Sequence, residues 1–249
     1  MKASKIIVIP LFLLVLYASS GCAETQSNGM TVQQIFLDEP TLKMVVAVSK
    51  GDFSDADKER AKGANVNAIG TDGFTPLLWV IHTTNKLGKI EYLLKAGANP
   101  NYKDPENNES AMSWAAEDES PELLQLLLKY NGDTNLKGPA FDEPIICIAV
   151  KSFRDKNVKL LLASGADVNL SDRIGRTAAD IAAGVGRFDL VIYFLNNGLN
   201  HNLQGLARSV EASYVDKQEQ PNKDKVIEML KKRGAIFPAL KPKAKRHGE

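Results

Sequence analysis

One short motif returns along this chain at a nearly constant interval, and that recurrence limits the possible folds more than any other feature. It reads Gly63-Ala64-Asn65-Val66-Asn67, then Gly97-Ala98-Asn99-Pro100-Asn101, Gly132-Asp133-Thr134-Asn135, Gly165-Ala166-Asp167-Val168-Asn169 and Gly198-Leu199-Asn200-His201-Asn202. A last Gly234-Ala235 closes the series, and the glycines lie 34, 35, 33, 33 and 36 residues apart. An apolar run precedes each glycine after the first: Ile90 to Leu94, Leu123 to Leu128, Val158 to Leu162, Leu190 to Leu195, Val226 to Leu230. Glycine just past such a run suits a left-handed helix end. A unit of this size cannot bury its leucine face alone, so the units must stack, each covering its neighbour.

The start of each unit is also marked. In Asp72-Gly73-Phe74-Thr75-Pro76-Leu77 the threonine can cap a helix whose first turn accepts proline, because the missing donor would be orphaned there anyway. Gly175-Arg176-Thr177-Ala178-Ala179 is a looser copy, and Ser110-Ala111-Met112 and Glu143-Pro144-Ile145 hold the same place in two degenerate copies. Ser120-Pro121-Glu122 reads as the start of a second helix. These motifs resemble the ankyrin family over most of residues 41–237. The resemblance implies an all-α ankyrin-repeat solenoid of five to six helix-turn-helix units with short finger loops. The first unit, with an apolar helix around Leu42–Lys50 and a charged partner around Ser54–Lys62, reads as a cap.

Before the repeats, Lys2 and Lys5 precede thirteen apolar residues from Ile6 to Ala18, too few to span a bilayer but enough for the core of an export signal. Ser19-Ser20-Gly21-Cys22 follows and is similar to a bacterial lipoprotein signal, although Ser19 stands where an aliphatic residue is usual. The resemblance implies lipidation of Cys22, with Ala23 directing the anchor to the outer membrane on its periplasmic side; cleavage after Ala23 by an ordinary signal peptidase is the alternative. The expected divisions are a signal peptide at 1–21, anchor cysteine and linker at 22–40, repeats at 41–237 and a basic tail at 238–249. Initiation at Met30 would give an unlipidated cytoplasmic form with every repeat.

Charge and composition exclude several functions. The formal net charge is +1, which supplies no field for nucleic acid. Removing residues 1–21 leaves 29 basic and 30 acidic groups, and residues 22–230 hold 22 against 29, an acidic body that favours a basic partner. Two cysteines and three histidines offer neither a disulfide framework nor a metal cage. No catalytic, phosphate-binding or cofactor motif occurs, so the expectation is a non-enzyme without cofactor or metal, monomeric when free. Cys147, Trp79, Trp114 and Ile181 share one offset from the unit starts and are expected between units. The pairs Asp142-Glu143 and Glu117-Asp118 are expected on the surface.

Ankyrin surfaces bind through finger tips and the exposed side of the first helix. By that resemblance the candidate partner-binding residues are Asp72, Phe74 and His82; Glu106, Asn108, Glu109, Glu117 and Asp118; Asp142 and Lys151, with Val150 beside it; and Arg173 and Arg176. Phe74 is the one large apolar side chain among them and reads either as a binding anchor or as packing on the next finger. The finger at Asp104-Pro105-Glu106-Asn107-Asn108 reads as about two residues longer than the others. Finally, Gly73 to Trp79, Asn85-Lys86 and Tyr92 to Asn101 are similar to bacterial ankyrin lipoproteins that serve as immunity proteins against type VI secretion phospholipase effectors. That resemblance implies a protein that neutralises a cognate lipase by covering its active site. The other reading is an envelope scaffold that stabilises an endogenous periplasmic enzyme.

Overall fold

The computed structural model describes residues 26–27, 29–140 and 142–239. Six helix pairs follow one another: α2 (Glu39–Lys50) with α3 (Phe53–Ala61), α4 (Pro76–Thr84) with α5 (Leu87–Lys95), and α6 (Ala111–Glu117) with α7 (Glu122–Lys129). Then come α8 (Ile145–Lys151) with α9 (Asp155–Ala163), α10 (Ala178–Gly184) with α11 (Phe188–Asn196), and α12 (Leu203–Ala212) with α13 (Gln220–Lys232). A short hairpin, β1 (Gln26–Ser27) and β2 (Met30–Thr31), and one turn of helix, α1 (Val32–Ile35), precede them. The chain is an all-α solenoid, as expected.

Caps start the first helices where the sequence marks them. Thr75 Oγ1 accepts from Leu78 N at 3.3 Å, Ser110 and Ser113 form a reciprocal box, and Thr177 and Asp180 form another. Pro144 opens α8 without a side-chain cap, and α7, which starts at Glu122 as Ser120-Pro121-Glu122 marks it, also lacks one, the Ser120 hydroxyl being turned to the Glu122 carboxylate.

The first helices stack α2 on α4 on α6 on α8 on α10 on α12. Sandwiched on nearly all sides, they are apolar nearly all round: every residue from Ile145 to Val150 in α8 and from Ala178 to Ala183 in α10 is buried. The second helices bury one stripe only, such as Leu123, Leu124 and Leu127 in α7. Val150, expected beside the binding residues, is therefore core.

The uneven glycine spacing has a local cause. Asn131, at φ 64°, takes the left-handed helix end that Gly97 fills in the unit before. The bonds match: Gly97 N donates to Leu94 O and Ala98 N to Leu93 O, as Asn131 N does to Leu128 O and Gly132 N to Leu127 O. The structural interval is then 34 residues from 63 to 97, 97 to 131 and 131 to 165. From Gly97 to Ser110 is 13 residues, against 12 from Gly63 to Thr75 and from Gly165 to Thr177, so that finger is one residue longer, not two.

The later part of the stretch assigned to a linker, 22–40, contributes to the core. Ile35 and Phe36 are buried, Thr71 N donates to Ile35 O at 3.1 Å, and helix α2 already starts at Glu39. Cys22 and nearly all of the basic tail lie outside the described residues. No helix of the described residues is long and apolar enough to cross a membrane.

Candidate protein-binding face

The fingers are held in one row by asparagine. Asn67 Nδ2 donates to Gly97 O at 2.9 Å while its Oδ1 accepts from Asn99 N at 2.8 Å. Asn101 repeats both bonds, to Asn131 O at 2.9 Å and from Asp133 N at 2.7 Å. Asn135 accepts from Asp167 N, and Asn169 from Asn200 N. The residue two places earlier in each motif turns the loop: Asn65, Asn99, Asp133 and Asp167 accept from the next-but-one backbone N–H. The motif thus carries one turn-making side chain and one unit-joining side chain.

Beside this row, the first helices α4, α6 and α8 present a mixed face. Phe74, which reads from the sequence either as an exposed anchor or as packing on the next finger, is only 4 % exposed, because rings from two units close over it. His82 meets it edge-on at 5.8 Å, and Trp114 does so at 5.7 Å. The phenyl ring is packing, and the aromatic surface offered to a partner is the exposed His82 and the half-buried Trp114, 5.9 Å apart. Trp114 was expected between units with Trp79, yet only Trp79 is fully enclosed.

Carboxylates surround the indole. Glu109 Oε2 accepts from Trp114 Nε1 at 3.2 Å. Glu143, expected on the surface, is buried, since Lys151 Nζ reaches it at 2.6 Å and neutralises it. Glu117 reaches solvent, but partial burial pushes its carboxyl above the ordinary range. The Glu109 carboxylate adds to this, Arg154 opposes it, Asp118 adds a little and Lys151 opposes a little. Together Glu109, Trp114, Glu117, Glu143 and Lys151 line a depression of about 160 Å³ that Pro139 and Ile148 complete.

Thus the structure brings together His82, Glu109, Glu117 and Lys151 around Trp114. It spreads the other candidates out. Glu106 and Asn108 are exposed at the finger tip, Asn108 at φ 56°, and Asp142 is exposed at φ 52°. Asp72 is half-buried, its Oδ1 accepting from Phe74 N at 2.9 Å. Asp118 leaves the face to bond Ser120 N at 2.9 Å in the turn after α6. Arg173 is exposed, and Arg176 is held within its own finger by the buried Asp172 at 2.8 Å.

Two features escaped the sequence reading. Phe153 is 59 % exposed in the turn after α8, and Trp114 is open rather than enclosed. A signal for Phe153 exists in the alignment of units: Arg154 and Arg187 close equivalent turns, each N–H bonding a carbonyl five residues back, and the residue before Arg187 is Gly186. Cys147 is fully buried as expected, and burial, with Glu143 and Asp172 behind it, pushes its thiol up and leaves it unreactive. No cluster of three or more metal-ligating side chains occurs among the described residues.

A family model for ankyrin repeats (3 copies) matches residues 16–138 and, overlapping, 112–205. Among curated proteins none matches the chain. With that model spanning most of the length, and six stacked helix pairs joined by finger loops behind it, the chain belongs to the ankyrin-repeat family, in which a role in protein–protein interaction follows from the repeats.

Proposed function

We propose that this protein is an exported, lipid-anchored immunity protein that seats a cognate phospholipase effector of type VI secretion on the face of α4, α6 and α8 and covers the lipase active site. The observation that carries a binding role is the exposed His82–Trp114 surface beside Glu109 and Glu117, which form no ion pair among the described residues. Half-open aromatics rimmed by charge are what interfaces use as anchors. The effector as partner rests on the resemblance of Gly73 to Trp79, Asn85-Lys86 and Tyr92 to Asn101, and export rests on the leader at 1–21 that precedes Cys22. The lipid would hold the inhibitor against the membrane that the toxin attacks, raising its local concentration without a new contact.

The test directs a candidate phospholipase effector of type VI secretion to the periplasm of a bacterial host, with and without this chain. Protection by the wild type, lost on Trp114→Ala with the melting temperature kept, supports the reading. No protection, combined with a raised level of a resident periplasmic enzyme, replaces it with the scaffold reading. Fractionation of Cys22→Ala checks the anchor: the variant should leave the membrane, and unchanged partitioning into detergent removes the lipid from the proposal.

A further inference from the structure

The depression beside Trp114 has a chemical preference. One wall is the indole, whose N–H is already bound to Glu109, so the ring face is what remains to offer. Two carboxylates, Glu109 and Glu117, line the same hollow, and neither forms an ion pair among the described residues. Of the two cations that act on Glu117, Lys151 is engaged by Glu143 at 2.6 Å. Arg154 spends its Nε on the Glu117 carbonyl oxygen at 2.8 Å. A small hollow with an aromatic wall and two carboxylates outside any described ion pair complements a flat cation, which stacks on the ring and donates in the plane of its fork to both acids.

A second feature borders it. Phe153 follows Ser152, another lining residue, and holds φ 57° while more than half exposed. The equivalent residue of the next unit is Gly186 at φ 76°, with no side chain to strain. A bulky residue in this backbone region is unfavourable, and here it is not repaid by burial.

We propose that the depression between the third and fourth units receives an arginine side chain of the protein partner, its guanidinium stacked on Trp114 between Glu109 and Glu117, with Phe153 as the apolar anchor at the rim. This rests on the binding face described above but not on the partner being a phospholipase.

The probe is N-acetyl-arginine amide, titrated into the full chain, with the citrulline and lysine analogues as controls. The readout is the pair of tryptophan indole N–H resonances. Trp79 is fully buried and serves as the internal reference. The expected result is a saturable shift of the Trp114 resonance alone, at millimolar probe, at least ~10-fold tighter for arginine than for citrulline. Glu109→Gln with Glu117→Gln, which keeps an acceptor for the indole, should reduce arginine to the citrulline level. Equal binding of citrulline or lysine, an unchanged double variant, or no shift at ~100 mM probe overturns the inference. Phe153→Asn suits the left-handed backbone; it should weaken the partner complex at least ~10-fold without lowering the melting temperature, and unchanged affinity removes the anchor. If the arginine probe binds but the phospholipase does not, the effector reading fails alone. If the phospholipase binds on this face and the probe does not, the arginine subsite fails alone.

Discussion

Phe74 shows how far one residue can be read without its neighbours. Its place in a finger motif marks it as accessible, but its environment is made by His82, eight residues on, and by Trp114 of the next unit, which no local pattern announces. Phe74→Ala should therefore act as a core deletion, lowering stability by ~3–5 kcal/mol, with affinity for a partner lost mainly as folded protein is lost. Chemical denaturation paired with a binding titration decides it; a stable variant that fails to bind would restore Phe74 as a direct contact. Glu117 behaves differently. Partial burial, with Glu109 close by, holds its carboxyl above the range it has in the unfolded chain, so the folded state binds the proton more tightly. Stability is then lost as pH rises through the interval between the two values, and the penalty is complete above it. Glu117→Gln should melt higher than wild type at neutral pH and no differently at a pH low enough to protonate both states. An advantage that persists undiminished in acid would mean that charge is not its source.

At the level of elements, the helices were legible and the joints between them were not. Threonine followed by proline, apolar runs and terminal glycines locate helix ends because each has a local physical cause. The alignment of the third unit failed by one residue because asparagine also tolerates the left-handed conformation, and Asn131 took the place in which a glycine was sought. The ladder of asparagines needed knowledge of the unit ahead, since each side chain reaches across about thirty residues. Its energetics can be graded. Asn101 makes two bonds to the following unit, whereas Asn135 makes one, to Asp167 N. A net hydrogen bond contributes ~1 kcal/mol, less where water can replace it, as at these exposed fingers. Asn101→Ala should cost ~1–2 kcal/mol and Asn135→Ala about half as much, read from urea midpoints at constant m-value. The reverse order would show that the fingers are held by backbone turns and not by the ladder.

In the whole molecule, each unit is covered by its neighbours, so the ends decide where stability is lost first. The sequence placed the beginning of the array at residue 41 because the repeat pattern starts there. The fold begins earlier: Ile35 and Phe36 are 1 % and 2 % exposed, and the Thr71 backbone and hydroxyl both donate to this segment, to Ile35 O at 3.1 Å and Gln34 O at 2.9 Å. Such packing has no periodic signature, since it belongs to no unit, yet it covers the open side of the first one. A chain starting at Met30 keeps both residues and, of the described ones, loses only β1 and Gly29, so its stability should match that of a chain starting at Ala23. A chain starting at Glu39 loses two buried apolar side chains, each worth ~1.5–3 kcal/mol, and should be weaker by ~3 kcal/mol or more. The loss should also be local. Hydrogen exchange should show protection falling in α2 and α3, the unit left uncovered, while α10 and α11 keep theirs, because nothing they touch has changed. A fall spread evenly over every helix would show that the array unfolds as one body and that its end does not fray separately. No fall at all would show that Ile35 and Phe36 only rest on the solenoid.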